Sequence, residues 1–247
     1  MARFFRSTSR HRSISLTSLF ALSGGDLPVA REGNMDHPNL KITVLPRAEI
    51  EAAGRLLTRA FAYDPVITHF LDDASRRSIA FPAFFAGVLE EILASGTVFA
   101  GFDADRLIGV AAWLPPEPLP PDEASLARSD QHGAVVRELF PETSQALYDG
   151  FAAAGKLHPV EPHWYLAFVG IDPSFQGRGA GRKLLSQVLE DADAKGLLCY
   201  LETPFPATHK FYRSLGFEIH SQENLFRGAP PVWTMLRRPN VSTKWTR

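Results

Sequence analysis

The sequence contains a single cysteine, Cys199, and almost no excess of charge of either sign. One thiol can form neither an internal disulfide nor a structural zinc site, so a reducing compartment fits the chain best. The 26 basic and 27 acidic side chains argue against a dedicated nucleic-acid-binding protein, because phosphate contacts need a basic excess. The sequence also lacks a run of roughly 18 unbroken apolar residues, so it predicts no membrane span.

Apolar side chains make up 45% of the 247 residues, which is too many for a disordered chain and enough for one domain. Residues 1–25 contain four arginines and many Ser and Thr residues, with no acid before Asp26. This composition resembles an organellar presequence, although a disordered tail is an alternative reading because Met35 precedes the first ordered pattern. The predicted compartment is the cytoplasm, or the mitochondrion if residues 1–35 are a presequence. The predicted organisation is a tail or presequence over 1–38, one domain over 39–239 and a C-terminal tail over 240–247.

Hydrophobic periodicity predicts a chain in which strands and helices alternate without internal repeats. Apolar residues at helical spacing predict a helix from Ile50 to Phe61 that ends before Pro65. A second helix is predicted from Arg76 to Ala94. The alternation indicates one mixed α/β domain. The remaining predicted strands span 41–45, 96–101, 106–113, 164–171, 197–201, 217–219 and 232–236, and the remaining helices span 122–157 (one or two), 182–195 and 208–215.

The most informative segment runs from Val169 to Lys183, where a buried strand leads through a glycine-rich loop into the clearest helix of the chain. Gly177, Gly179 and Gly181 occupy alternate positions in this loop. Glycine lets a ligand approach the backbone closely, and the start of a helix presents N–H groups with a partial positive charge. The segment therefore predicts a binding site for a phosphate or pyrophosphate group.

Two common phosphate-binding motifs fit this loop poorly. A Walker loop needs Gly-Lys followed by Ser or Thr, which the segment lacks. A dinucleotide-binding fingerprint needs a third glycine at the position of Arg182. Glu202 does follow at about the distance expected for a ribose-binding acid, so NAD(P) binding stays an alternative.

The segment Gln176-Gly177-Arg178-Gly179-Ala180-Gly181 resembles the Q/R-x-x-G-x-G/A signature of the GCN5-related N-acetyltransferase (GNAT) family. Two later segments, Leu201–Thr203 and Phe211–Phe217, continue the resemblance. It implies a central mixed, mostly antiparallel, twisted sheet flanked by helices in a single α/β domain. Segments that also look like the branch of the family containing puromycin N-acetyltransferase are 113–117, 162–166 and 233–235.

The resemblance implies that acetyl-CoA is the cosubstrate and that no metal takes part. In the family, the loop binds the pyrophosphate and the preceding strand offers backbone N–H groups to the thioester and the pantetheine arm. Thr208 stands where relatives commonly carry an Asn that contacts this arm. The implied cofactor-binding residues are Val169, Ile171, Gln176, Gly177, Arg178, Gly179, Ala180, Gly181 and Thr208.

Two side chains match the family's proton-transfer positions. Tyr212 would protonate the departing thiolate, because a phenol has a pKa close enough to that of a thiol. Glu202 would accept a proton from the substrate ammonium, directly or through water, or would only orient the amine. His163 is a second candidate base, although a histidine at a strand start is more often a surface or capping residue.

The resemblance predicts direct transfer, in a ternary complex, to a primary amine of a small molecule. Neither nucleic acid nor a membrane is an expected partner, and the oligomeric state is left open between a monomer and a homodimer. A protein that binds acyl-CoA as a sensor without catalysis is the alternative from another functional class.

Overall fold

The computed structural model of the protein describes residues 40–120, 122–225 and 228–240. The predicted N-terminal tail or presequence and nearly all of the predicted C-terminal tail lie outside these residues. The strands are β1 Leu40–Val44, β2 Thr97–Asp103, β3 Arg106–Leu114, β4 His163–Ile171, β5 Leu198–Thr203, β6 Glu218–Glu223 and β7 Val232–Arg237. The α-helices are α1 Ile50–Ala60, α2 Pro65–Phe70, α3 Ala74–Ser95, α4 Glu123–Leu139, α5 Ser144–Ala154, α6 Ala180–Lys195 and α7 His209–Arg213.

The seven strands form one sheet in the order β1-β2-β3-β4-β5-β7-β6. All neighbouring strands are antiparallel except β4 and β5, which are parallel. The prediction of a mixed, mostly antiparallel sheet flanked by helices is therefore confirmed.

Helices cover both faces of the sheet, because the central strands are apolar on both sides. β3 and β4 are each buried along nearly their whole length. On one face, α1 packs a stripe that includes Ala53, Leu56 and Leu57 into the core shared with α3. On the other face, α6 buries a stripe that includes Leu184, Leu185 and Val188. The sheet is thus the middle layer of three, a position that favours continuous apolar strands.

α3 is the one helix, within the described ranges, that is long and apolar enough to cross a membrane by length and composition. In the structure, 67% of its most apolar window is buried inside the protein. Phe84, Phe85 and Val88 are members of the core cluster that also includes residues of α1. Its apolar surface is thus part of the protein core.

The predicted elements agree with the structure apart from one helix and several boundaries. The first helix ends before Pro65 as predicted, but Pro65 also begins the unpredicted helix α2. The missing N–H of proline costs nothing at the first helical position. The side chain of Asp64 also accepts hydrogen bonds from the N–H groups of Val66 and Ile67, both at 2.9 Å. The strand predicted over 217–219 is longer than expected, because β6 continues to Glu223.

Candidate active site

A cleft opens in the middle of the sheet, between the parallel strands β4 and β5. The two strands pair only over 163–165 and 198–200. Beyond these residues, β4 continues beside β3 as far as Ile171, and β5 continues beside β7 as far as Thr203. A bulge promotes the divergence: Trp113 faces Leu166 whereas Ala112 faces Phe168, which leaves one extra residue in β4. Because a bulge bends its strand, β4 turns away from β5 at this point.

Backbone N–H groups of β4 point into this cleft. The N–H of Asp172 donates to the carbonyl of Ile108 at 2.8 Å. In an antiparallel pair, successive residues point alternately toward and away from the partner strand. The N–H groups of Val169 and Ile171 therefore point away from β3, toward the side where β5 has diverged. Their side chains are buried in the core against α6, so only their main chain can serve a ligand in the cleft.

The glycine loop ends at the N-terminus of α6 in a conformation that glycine favours. Gly177 and Gly179 have φ values of 74° and 83°, in the left-handed region, and Gly179 is the N-cap of α6. The first intrahelical bond runs from the Lys183 N–H to the Gly179 carbonyl, at 3.1 Å. The N–H groups of residues 180–182 therefore have no partner within the helix. Such a helix start suits a pyrophosphate, because it presents free donors and a partial positive charge.

Side chains brace the loop on both sides. The Gln176 amide donates to the carbonyl of Ile171 at 3.1 Å, so this side chain ties the loop to the end of β4. The guanidinium of Arg182 donates to the hydroxyl of Ser214 at 2.7 Å and links α6 to the end of α7. Arg178 lies 5.6 Å above the ring centre of Phe175. Of the two arginines, Arg178 is the one that lies within the loop itself.

Asp172 anchors the start of the loop. Its carboxylate accepts hydrogen bonds from the N–H and hydroxyl of Ser174, at 3.0 and 2.6 Å, and from Arg59 at 2.9 Å. Burial pushes the pKa of Asp172 upward, but the bonds from Ser174 and Arg59 outweigh it and lower that pKa to about 2. The carboxylate is therefore charged at neutral pH and holds α1 to the segment that leads into the loop.

Glu202 lies near the end of β5 and is fully buried. Neither of its carboxylate oxygens accepts a well-aligned hydrogen bond from the described residues. The nearest cation-forming group is His158, whose Nε2 lies 3.4 Å from Oε1 of Glu202. Burying a charged carboxylate that has so few hydrogen-bond and ionic partners costs folding free energy unless a proton or a cation joins it. This environment suits a group whose role is to receive a proton.

Tyr212 lies on α7 and is also fully buried, with Phe211 and Phe217 rings around it at centroid distances of 5.3 and 5.9 Å. Its hydroxyl has no hydrogen-bond partner in the part of the chain that the structure covers. Burial raises the pKa of Tyr212 well above its ordinary value. The phenol therefore stays protonated at neutral pH, as a proton donor must.

Two other residues discussed from the sequence have buried side chains. Thr208 is fully buried, and its hydroxyl donates to the carbonyl of Phe205 at 2.8 Å. A contact from Thr208 to the pantetheine arm stays a prediction, and its hydroxyl is already engaged within the protein. Burial raises the pKa of the Cys199 thiol to about 12, which agrees with a packed core thiol and not with a nucleophile.

His158 was not among the residues expected from the sequence, because it lies in the connection before β4 and belongs to no motif. Tertiary structure brings it against Glu202, and brings His163 against it in turn. The sequence offered only a slight indication of this position: Tyr165 and Tyr200 are aromatic residues on predicted strands. In the structure their rings enclose the imidazole of His158. Among the residues that the structure describes, no group of three or more His, Cys, Asp and Glu side chains is arranged to hold a metal ion.

Comparison with known families agrees with this geometry. The sequence profile of the acetyltransferase (GNAT) family matches residues 68–217, which is more than half of the 247 residues. The chain therefore belongs to the acetyltransferase (GNAT) family.

Individual relatives carry related names. The chain is 26% identical, over 208 residues, to an uncharacterized N-acetyltransferase of Schizosaccharomyces pombe, covering 79% of this chain and 82% of the relative. It is 40% identical over 73 residues to the N-alpha-acetyltransferase RimI of Mycobacterium tuberculosis, covering 29% of this chain and 44% of RimI. Both relatives are named as N-acetyltransferases.

A solved structure shares the fold. It is a crystal structure from Corynebacterium glutamicum, described as histone acetyltransferase HPA2 and related acetyltransferase. Its TM-score is 0.62 at 23% sequence identity, over 83% of this chain and 99% of that chain. At this level of identity, the likeness concerns the fold.

Proposed function

We propose that the protein is an acetyl-CoA-dependent N-acetyltransferase that transfers the acetyl group directly to a primary amine of a small molecule. The observation that carries this proposal is the cleft between β4 and β5, which has the glycine loop at its end. Backbone N–H groups of β4 point into the cleft, and free N–H groups begin α6 beside it. This combination suits a ligand that has a carbonyl at one end and a diphosphate further along.

The residues present fit acetyl-CoA. The N–H groups of residues 177–182 and the Arg178 side chain would hold the pyrophosphate. The N–H groups of Val169 and Ile171 would donate to the thioester carbonyl, where negative charge develops during transfer. Acetyl-CoA, when bound, supplies the acetyl group in activated thioester form.

Two side chains would move protons. Glu202 would accept one from the substrate ammonium and so free the nitrogen lone pair for attack. Tyr212 would donate its hydroxyl proton to the sulfur that leaves as the carbon–sulfur bond breaks, and would regain the proton that the nitrogen loses as the new amide forms. These roles agree with the surroundings of the two side chains. The buried carboxylate of Glu202 has few partners for its charge, and the buried hydroxyl of Tyr212 has no hydrogen-bond partner among the described residues.

A screen of amines with detection of the released CoA thiol tests the function. We expect one class of small primary amines to stimulate release, with initial-rate patterns that intersect, because direct transfer needs both substrates bound together. Parallel patterns would instead indicate an acyl-enzyme. A peptide with a free N-terminal amine belongs in the panel, and exclusive activity on it would replace the small-molecule acceptor with a protein.

The same assay separates the alternatives. Tight acetyl-CoA binding without release by any amine would favour the acyl-CoA sensor. Stabilisation by nicotinamide dinucleotides and not by CoA would favour the NAD(P) reading, since a ligand that binds only the folded state raises the melting temperature. We further propose that the protein belongs to the branch of the family that includes puromycin N-acetyltransferase. We also propose that it resides in the cytoplasm, or in the mitochondrion if residues 1–35 are a presequence.

A further inference from the structure

His158 is held in a fixed position between two strands. It follows the 3₁₀ turn Gly155–Leu157, which comes after α5. Its ring centre lies 4.4 Å from that of Tyr165 and 4.7 Å from that of Tyr200. Its Nε2 faces Glu202 Oε1 at 3.4 Å, and its Nδ1 faces Nε2 of His163 at 3.2 Å. The imidazole is thus a bridge between the buried carboxylate and a second histidine.

The hydrogen positions in this bridge follow from its ends. His163 Nδ1 lies 2.8 Å from the carbonyl oxygen of Glu161, which can only accept, so Nδ1 carries the hydrogen. Burial lowers the pKa of His163, which keeps the ring neutral and leaves Nε2 as an acceptor. The Nδ1 of His158 must then carry a hydrogen and donate it to His163.

This arrangement leaves one proton position between His158 and Glu202. When His158 is neutral, its single hydrogen is on Nδ1, so a lone pair on Nε2 faces the carboxylate of Glu202. The gap therefore accommodates one proton, either on Glu202 Oε1 or on His158 Nε2. A proton on Nε2 produces an ion pair with Glu202.

We propose that His158 receives the amine proton from Glu202 and passes it toward solvent through His163, which also holds the imidazole in the required tautomer. This inference rests on the proposed function, and it makes His158 and His163 positioning residues that act through Glu202. It also names the route by which Glu202 loses the proton it has accepted in each turnover.

The transfer balances without any further reactant. A nitrogen–hydrogen bond of the substrate ammonium breaks as an oxygen–hydrogen bond forms on Glu202. That bond breaks in turn as Nε2 of His158 gains the proton, which restores the carboxylate. The side chain of His158 is 21% exposed, against 1% for that of Glu202. Nε2 of His158 is itself buried, so the proton leaves from the other side of the ring, where Nδ1 passes its hydrogen to Nε2 of the partly exposed His163.

Apart from His163, the groups that face His158 do not offer a competing acceptor. From β4 it meets His163 and Tyr165, and from β5 it meets Tyr200 and Glu202. Burial, together with the nearby Glu202, raises the pKa of Tyr200, and Glu223 adds a smaller effect in the same direction. The Tyr200 phenol therefore stays protonated and cannot take the proton.

Nitrogen NMR of the histidine rings tests the hydrogen positions independently of turnover. We expect the neutral tautomer of His158 to carry its hydrogen on Nδ1, and that of His163 to carry it on Nδ1 as well. A neutral His158 protonated on Nε2 would overturn the proposal.

Kinetics test the route, with His158→Gln as the variant. Glutamine can still donate to Glu202 but cannot carry a proton onward, so we expect kcat/KM for the amine to fall about tenfold or more. KM for acetyl-CoA should stay unchanged. Added imidazole buffer should restore part of the lost rate, which a merely structural role would not produce.

His220→Gln is the matched control, because it makes the same change at an exposed position on β6, and it should behave as wild type. If the wild-type protein transfers acetyl groups and His158→Gln keeps the wild-type kcat/KM for the amine, the relay is wrong and the proposed function stands. If the wild-type protein releases no CoA with any acceptor, both fall together.

Discussion

The hydroxyl oxygens of Thr203 and Thr208 lie 3.0 Å apart in a buried network at the end of β5. The Thr208 hydroxyl donates to the carbonyl of Phe205 at 2.8 Å, and the Phe205 N–H donates to Thr203 Oγ1 at 3.2 Å. The remaining hydroxyl hydrogen, that of Thr203, therefore points to Thr208. This network fixes the turn that leads from the strand carrying Glu202 to the helix carrying Tyr212.

Replacing Thr208 with Val should destabilise the protein. The substitution preserves shape, and the Phe205 carbonyl keeps its bond from the Thr208 N–H at 3.1 Å. It removes the bond from the Thr208 hydroxyl and leaves the buried Thr203 hydroxyl without its acceptor, at a cost of about 2 kcal/mol. For a domain of this size, the melting temperature should fall by roughly 4 to 8 °C, which calorimetry measures. Thr208→Ser keeps the hydroxyl and should lose much less. Equal melting temperatures for Thr208→Val and wild type would show that the network contributes nothing.

Gly179 and Gly196 are a matched pair at the two ends of α6. Both have left-handed φ values, 83° and 68°, and a Cβ on either would meet nothing within 4 Å. Alanine at either site should cost about 1 to 2 kcal/mol of stability, because left-handed backbone is strained for other residues. Only Gly179→Ala should also weaken acetyl-CoA binding in titration calorimetry, by about tenfold or more, equivalent to 1.4 kcal/mol. Similar affinities in the two variants would argue against a diphosphate site at the start of α6.

Tyr212→Phe should lower kcat by about 100-fold or more if the phenol is the general acid. Acetyl-CoA affinity should change little, because the proposed contacts with the diphosphate come from another segment. Tyr148→Phe removes a second buried tyrosine hydroxyl, in α5, and provides the control. Wild-type turnover by Tyr212→Phe would remove Tyr212 from the mechanism.

Asp172 should make the protein's stability depend on acidic pH. Its pKa falls from 3.8 in the unfolded chain to about 2 in the fold, so folding favours the charged form by about 2 kcal/mol. This stabilisation is complete well above pH 4 and is lost as pH falls through the folded pKa.

Urea unfolding of wild type and Asp172→Asn at several pH values measures this contribution. The difference in unfolding free energy between them should shrink steadily from about pH 5 to pH 2. Asp105→Asn, at an exposed carboxylate of the β2–β3 turn, should show no comparable change. A constant difference for Asp172→Asn would mean that its bonds to Ser174 and Arg59 do not depend on its charge.

Features set by neighbouring residues could be predicted from the sequence. The alternate glycines at Gly177 and Gly179, the apolar stripe of α6 and the helix end at Gly196 all depend on local backbone preferences. The same holds for the end of the first helix before Pro65. The helix that begins at Pro65 was missed, because its cap depends on Asp64 being buried with its carboxylate turned toward Val66 and Ile67.

The family resemblance named Glu202 and Tyr212 but could not describe their surroundings. The burial that keeps Tyr212 protonated is created by rings from α7 and from the segment after it. The cleft that receives the N–H groups of Val169 and Ile171 exists because a bulge turns β4 away from β5. Neither property can be read from the residues alone, because each depends on where a distant strand or ring is placed.

The sequence by itself determined the order of elements and the glycine loop, because short-range spacing encodes them. Its resemblance to the family implied the positions of the two proposed proton-transfer residues. Only the tertiary structure decided which groups meet across the sheet. His158 and Glu202 are 44 positions apart in the chain, and nothing in the local pattern of either residue refers to the other. Packing of the connection after α5 against β4 and β5 brings them together, since long-range contacts arise from the whole fold.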